Sequence, residues 1–147
     1  MDKIRSARRE DAPRLAQLAG ELGSGISSVS IGAAIDRLRP DEGAIYVAEE
    51  DEHLTAWIHV YRSRVLQTEP FAEIGGLVVD SQRRGAGIGR RLLETAEQWA
   101  SANGLEAIRA RSNIVRSYAH LFYRRRGYDL EKTSYTFIKR RNDGGLG

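Results

Sequence analysis

The stretch that most limits the fold runs from Phe71 to Ala102. It holds an apolar run, "FAEIGGLVVD", a loop, "SQRRGAG", and then Ile88, Leu92, Leu93, Ala96, Trp99 and Ala100 at helical spacing. An apolar run bounded by a glycine-rich loop reads as a buried, central strand. Gly75 and Gly76 within it mark a bulge or a close backbone approach. The period that follows reads as a helix with one apolar face, stopped by Asn103 and Gly104. Such a helix must fold back over the sheet, so the next run, "LEAIRARS", is predicted to return as a parallel strand through a right-handed crossover.

The rest of the chain supplies more strands and helices around that unit. "KIRSA" reads as a short strand. "REDAPRLAQLAGELG" reads as a helix with Asp11 as N-cap and Pro13 in its first turn. Gly23 to Gly32 reads as a flexible connection where specificity would lie, and "AAIDRLRP" as a short helix stopped by Pro40. "AIYVAEE" and "HLTAWIHVYRSR" form a predicted hairpin whose acidic turn, Glu49 to Glu52, stays in water. "VRSYAHLFYRRRG" reads as a helix closed by Gly127, "TSYTFIKR" as a last strand, and the tail from 142 to 147 as disordered. The predicted order is β-α-α-β-β-β-α-β-α-β: an α/β (α+β) fold with a mixed, mostly antiparallel central sheet and helices on both faces, one domain over residues 1–141.

Composition narrows the function classes. The 147 residues are 41% hydrophobic and 29% charged, which suits one globular core rather than a disordered chain. There is no cysteine, so disulfides, thiolate zinc sites and a cysteine nucleophile are all excluded, and no metal is expected. The longest apolar run, "IGGLVV", is far too short to span a bilayer, and the first residues do not resemble a signal peptide, so a cytoplasmic protein without membrane contact is expected. A net charge of +3 permits a phosphorylated ligand. Nucleic acid is not an expected partner, because basic residues are not interleaved with exposed aromatics as single-strand binding requires.

The glycine-rich loop can be sorted by residue identity. A Walker loop needs Lys and Ser or Thr after its last glycine, but Ile88, Gly89 and Arg90 stand here. A dinucleotide fingerprint from Gly85 would need glycine at Arg90 and an acidic residue ending a later strand, whereas Glu106 begins one. What remains is Arg84, Gly85, Ala86, Gly87, Ile88 and Gly89 at a strand-to-helix junction. Bare backbone N–H groups at a helix N-terminus could wrap a pyrophosphate there, with Arg84 beside it.

At this point "QRRGAGIG", the strand "FAEIGGLVV" before it, and "SNIVRSYAHLFYRRRGY" together resemble the GNAT N-acetyltransferase superfamily, with an element order that covers nearly the whole chain. The resemblance implies acetyl-CoA as co-substrate, held by the Arg84 to Gly89 loop and by the main chain of Leu77, Val78 and Val79. It implies that Asn113 bonds the pantetheine arm, although as a residue before a helix Asn113 also reads as an N-cap. Tyr123 would sit by the CoA sulfur as proton donor; a core or rim aromatic on an amphipathic helix is its plainer reading. A homodimer is a further family expectation.

Acetylating an amine requires a base, because an alkylammonium with a pKa of about 10 is protonated at neutral pH. Glu73 is the candidate: burial in the most apolar strand would raise its pKa, and family members often carry a base at a similar position. A partly exposed Glu paired with an arginine is the equal alternative. His120, three residues before Tyr123, reads first as a surface or capping histidine and second as an assisting base. His59 and Tyr61 alternate along a strand and read as packing, or as pocket lining. Arg124 to Arg126 suit the negative end of a helix. The expected activity is transfer of acetyl to a primary amine by direct attack in a ternary complex, a small-molecule amine being favoured over a protein amine. The alternative is a non-catalytic acyl-CoA sensor, against which the presence of both Glu73 and Tyr123 argues.

Overall fold

The computed structural model describes residues 2–111 and 117–140. Asn113 and the tail from 142 to 147 therefore lie outside the described residues. The chain divides into two compact units, one ending at Arg111 and one following it.

The first unit contains β1 (Lys3–Ser6), α1 (Ala12–Gly20), α2 (Ser28–Arg37), β2 (Gly43–Glu50), β3 (His53–Ser63), β4 (Phe71–Val79), α3 (Ile88–Ala102) and β5 (Ile108–Ala110). The strands form one sheet in the order β1-β2-β3-β4-β5. Every neighbouring pair is antiparallel except β4 with β5, the pair joined through α3. The mixed, mostly antiparallel sheet with flanking helices is thus the one expected, and the parallel return after the long helix is present.

Apolar alternation assigns the faces. Leu15 of α1 packs with Val47 and Leu54, and Ala7, Ile31, Ile45 and Trp57 close around them. A register shift between Ala48 and Glu49 leaves Thr55 unmatched, which turns Leu54 to the same face as Trp57. The alternate residues Ala56, Ile58 and Val60 are fully buried on the other face. There α3 lies across β2, β3 and β4 and buries Leu92, Leu93 and Ala96.

Several local expectations are corrected. The middle strand is β3 rather than β4, since β4 is flanked on its outer side only by the three residues of β5. The second helix starts at Ser28, so much of the supposed flexible connection is helical. Ser27 caps it by accepting from the Ser30 N–H at 3.1 Å. There α2 packs on α1, with Gly32 beside Ala12, where a Cβ would make an ordinary contact at 3.8 Å. Asp11 stands at the N-cap of α1 but makes no capping bond to it; its carboxylate accepts from the Arg8 N–H at 2.7 Å and from Arg5 instead. The acidic hairpin turn is present, with Asp51 and Glu52 at φ 51° and 66°, while Glu49 and Glu50 lie half-buried in the strand and pair with Arg5 and Arg83.

The second unit holds α4 (Ser117–Arg125), closed as expected by Gly127 at φ 87°. The Tyr128 N–H donates to the Tyr123 carbonyl at 3.1 Å. The predicted last strand over 133–140 is not a strand, and Tyr135 and Phe137 are 87% and 92% exposed. Alternation makes a strand only where the backbone finds an edge to bond, and this segment bonds none among the described residues. No helix among the described residues is long and apolar enough to cross a membrane.

Candidate active site

The site is built on β4. Its pairing with β5 covers only Ala72, Glu73 and Ile74, against Ile108, Arg109 and Ala110. Beyond Ile74, β4 continues to Val79 bonded on its β3 side alone. Among the described residues, then, the outer edge of Leu77, Val78 and Val79 is open, and an open edge offers main-chain donors and acceptors to an extended ligand.

That edge runs directly into the glycine-rich loop. After Val79, Asp80 caps a single 3-10 turn over Ser81–Arg83, accepting from the Gln82 N–H at 3.0 Å. Gly85 and Gly87 then take φ of 89° and 82°, a left-handed geometry that L side chains rarely adopt. Gly87 is the N-cap of α3 and provides no side-chain cap, so the first N–H groups of this helix have no side chain folded over them. A Cβ at Gly85 would meet nothing within 4 Å. Ala86 is exposed, Ile88 is buried and anchors the helix start, and Gly89 follows it. Arg84 is exposed on the same loop, while Arg83 is paired with Glu50 at 2.6 Å. An uncapped helix end behind left-handed glycines fits a pyrophosphate, and the open β4 edge fits an extended pantetheine arm.

Glu73 lies where β4 still pairs on both sides and is only 7% exposed. Tyr61, its register partner on β3, donates its hydroxyl to Glu73 Oε2. Arg111 places Nε 3.6 Å from Oε1. Sequence reading offered a buried carboxylate or an arginine-paired one; Glu73 is both. The bond also lifts Tyr61 out of a purely packing role. Burial first, and then the Glu73 carboxylate, push the Tyr61 phenol up to about 12.

His59 precedes Tyr61 on the same face, its ring 5.4 Å from the Tyr61 ring at 33°. Burial lowers its pKa, so it stands neutral at pH 7. The two glycines explain how these rings lie flat on β4. A Cβ at Gly75 would come within 2.7 Å of His59 Nδ1, and one at Gly76 within 2.8 Å of the Trp57 ring. Gly75 is also the extra residue of a bulge, since His59 pairs with Gly76 and Val60 with Ile74. Tyr61 and Arg111 were not singled out as partners of Glu73 in the sequence, because the cross-strand register that brings Tyr61 opposite it is not a local pattern.

Tyr123 belongs to the second unit and is described there by itself. Its ring meets those of Phe122 and Tyr128 edge-on, at 5.3 and 5.4 Å. Burial pushes its phenol up to about 12, so it keeps its proton across the neutral range. His120 is half-buried on the same helix. Among the described residues no group of three or more His, Asp or Glu could hold a metal ion.

With this geometry in hand, comparison with known proteins is direct. Residues 12–128 match the Acetyltransferase (GNAT) family. No curated protein sequence matches. Among solved structures, a transcriptional regulator from Bacillus halodurans C-125 is similar at TM-score 0.83 and 21% identity, covering 95% of this chain and 100% of that one. AAC(6')-Iy, in complex with the bisubstrate analog CoA-S-monomethyl-acetylneamine, is similar at TM-score 0.82 and 16% identity, covering 95% and 99%. Glucosamine-6-phosphate N-acetyltransferase from Arabidopsis thaliana is similar at TM-score 0.80 and 20% identity, covering 94% and 98%.

Proposed function

This chain belongs to the GNAT acetyltransferase family, and on that footing we propose that it transfers acetyl from acetyl-CoA to the primary amine of a small molecule by direct attack. The observation that carries the proposal is the open outer edge of β4 leading into the uncapped N-terminus of α3, with a buried carboxylate on the same strand. Acetyl-CoA supplies the acetyl group as a thioester. The residues of the chain bind it, accept the proton of the amine and return a proton to the leaving sulfur.

In this scheme the N–H groups of Gly85 to Gly89 hold the pyrophosphate together with Arg84, and the main chain of Leu77, Val78 and Val79 holds the pantetheine. Glu73 accepts the proton that the ammonium must lose before its nitrogen can attack, directly or through one water. Tyr61 and Arg111 hold the two carboxylate oxygens in place. The carbon–sulfur bond breaks as the carbon–nitrogen bond forms, and Tyr123, protonated throughout the working range, gives its proton to the thiolate. The lack of cysteine, which leaves no thiol to form an acyl-enzyme, supports direct attack. The complex of AAC(6')-Iy with the bisubstrate analog CoA-S-monomethyl-acetylneamine makes amine-bearing sugars the first acceptors to screen.

The test is a melting scan with acetyl-CoA, using ATP and NAD as controls, followed by an amine screen for CoA release. At about a hundred times the dissociation constant, binding contributes ~2.7 kcal/mol and raises Tm by roughly 5 to 10 °C. A shift with acetyl-CoA alone supports the proposal. No shift, or an equal one with ATP, overturns it.

A further inference from the structure

The turn that launches the glycine-rich loop is held from outside the loop. Arg14, on α1, places Nη2 2.9 Å from Asp80 Oδ2, and its Nε donates to the Leu54 carbonyl at 3.0 Å. Its Nη1 donates to Gln17 Oε1 at 3.0 Å, so all three guanidinium nitrogens have a partner. The other oxygen of Asp80 accepts the Gln82 N–H, its own N–H donates to the Thr55 carbonyl at 2.8 Å, and its carbonyl accepts the Arg83 N–H at 2.8 Å. Asp80 is thus the joint between β4 and the anion loop. Arg14 is the one residue of α1 that grips it.

A carboxylate at the entrance of a loop built for an anion carries the wrong sign. Left bare, it would repel an incoming pyrophosphate, and in a partly buried setting that repulsion is only partly screened by water. The Gln82 N–H first, and then, against desolvation, Arg14 and the charge of Arg83 hold the Asp80 carboxyl below the ordinary range, so it is ionised at working pH. We propose that Arg14 is a positioning residue for the acyl donor: it neutralises Asp80 and fixes the 3-10 turn, so that the Arg84 to Gly89 loop is set to receive the pyrophosphate. The inference rests on the cofactor reading given above. It adds a residue on α1, outside both sequence motifs, to the determinants of donor binding.

The two effects of Arg14 can be separated by a second substitution and by a second donor. Arg14→Ala removes the guanidinium paired with Asp80 Oδ2 and leaves only the Gln82 N–H and the charge of Arg83. The double variant Arg14→Ala/Asp80→Asn removes the carboxylate charge and keeps a side-chain oxygen for the Gln82 N–H. S-acetylpantetheine carries the same thioester and arm without the pyrophosphate. Dissociation constants for both donors are measured by titration for the wild type and both variants, with melting curves to confirm folding.

We expect Arg14→Ala to weaken acetyl-CoA by about tenfold and S-acetylpantetheine by less than about twofold, with the double variant recovering most of the loss. Equal losses on both donors, no loss on acetyl-CoA, or no recovery in the double variant would overturn the inference. If the wild type binds no acetyl-CoA, the cofactor reading itself fails. Normal wild-type binding combined with an indifferent Arg14→Ala overturns the Arg14 role alone.

Discussion

Glu73 is a carboxylate with a phenol on one oxygen and a guanidinium on the other, and that environment decides what each neighbouring substitution does. Glu73→Gln keeps the shape and the bond from Tyr61 but removes the proton acceptor, so turnover should fall by about 10²–10³ while the dissociation constant for acetyl-CoA stays unchanged. Paired rate and binding measurements check this, and a parallel loss of binding would return Glu73 to a structural role. Tyr61→Phe keeps the ring against His59 and loses only the bond to Glu73. It should lower kcat by about tenfold and cost about 1–3 kcal/mol of stability, since Oε2 of the buried carboxylate loses its donor. His59 supplies the pH observable: its imidazole should titrate below the ordinary value of about 6.5 in an NMR titration, because burial disfavours the charged ring. A midpoint at or above that value would mean that the ring is open to water. Glu73 could be picked from the sequence because a carboxylate inside an apolar run is conspicuous. Its partners could not, since the pairing of Tyr61 with Glu73 is set by where the connection between β3 and β4 turns, which no local pattern announces.

At the level of elements, the strand, loop and helix from Phe71 to Ala102 were legible because each carries its own signal: β4 its apolar run, Gly85 and Gly87 their left-handed φ, and α3 its apolar period with the stop at Gly104, φ 74°. The start of α2 was not legible. Ser27 to Gly32 has the composition of a loop, and it becomes helix through a serine cap and through close contact with α1, neither of which is a local pattern. The segment over 133–140 failed the other way, since its alternation is strand-like and the missing ingredient is a paired edge. The Gly75–Gly76 pair gives the element-scale prediction. Gly76→Ala drives a Cβ to 2.8 Å from a rigid indole that also packs on the Leu15, Val47 and Leu54 cluster. Trp57 must move, at a cost of about 1–3 kcal/mol of stability in urea unfolding. Gly85→Ala meets no atom within 4 Å and is strained only by its φ of 89°, so it should cost about 1–2 kcal/mol and weaken acetyl-CoA in the same experiment. An unchanged urea midpoint for Gly76→Ala would show that the indole is not held where it lies.

For the first unit taken whole, one ion network ties β1, the start of α1 and β2 together, beside the apolar contact of Leu15 with Val47. Arg5 of β1 reaches Asp11, at the start of α1, at 2.9 Å, and Glu49, near the end of β2, at 2.8 Å. Asp11 is buried and Arg5 nearly so, with side chains 8% and 12% exposed, so losing one partner leaves a charge with little water to receive it. Burial alone would raise the Asp11 carboxyl, but the hydrogen bonds from Arg5 and from the Arg8 N–H outweigh it and hold its pKa below the ordinary range. The folded value therefore lies below the unfolded one, near 3.9. The stabilisation this shift provides is complete above about pH 5 and disappears as pH falls through the folded pKa. Asp11→Asn removes it at every pH. Urea unfolding should find the variant less stable than the wild type by about 2 kcal/mol at pH 7, with the gap closing as both are taken to about pH 3. A gap that stays constant down to that pH would place the effect of Asp11 in its hydrogen bond to the Arg8 N–H, which the amide oxygen of asparagine can also accept, rather than in its charge. The network would then be a local turn and not a tie between β1, α1 and β2.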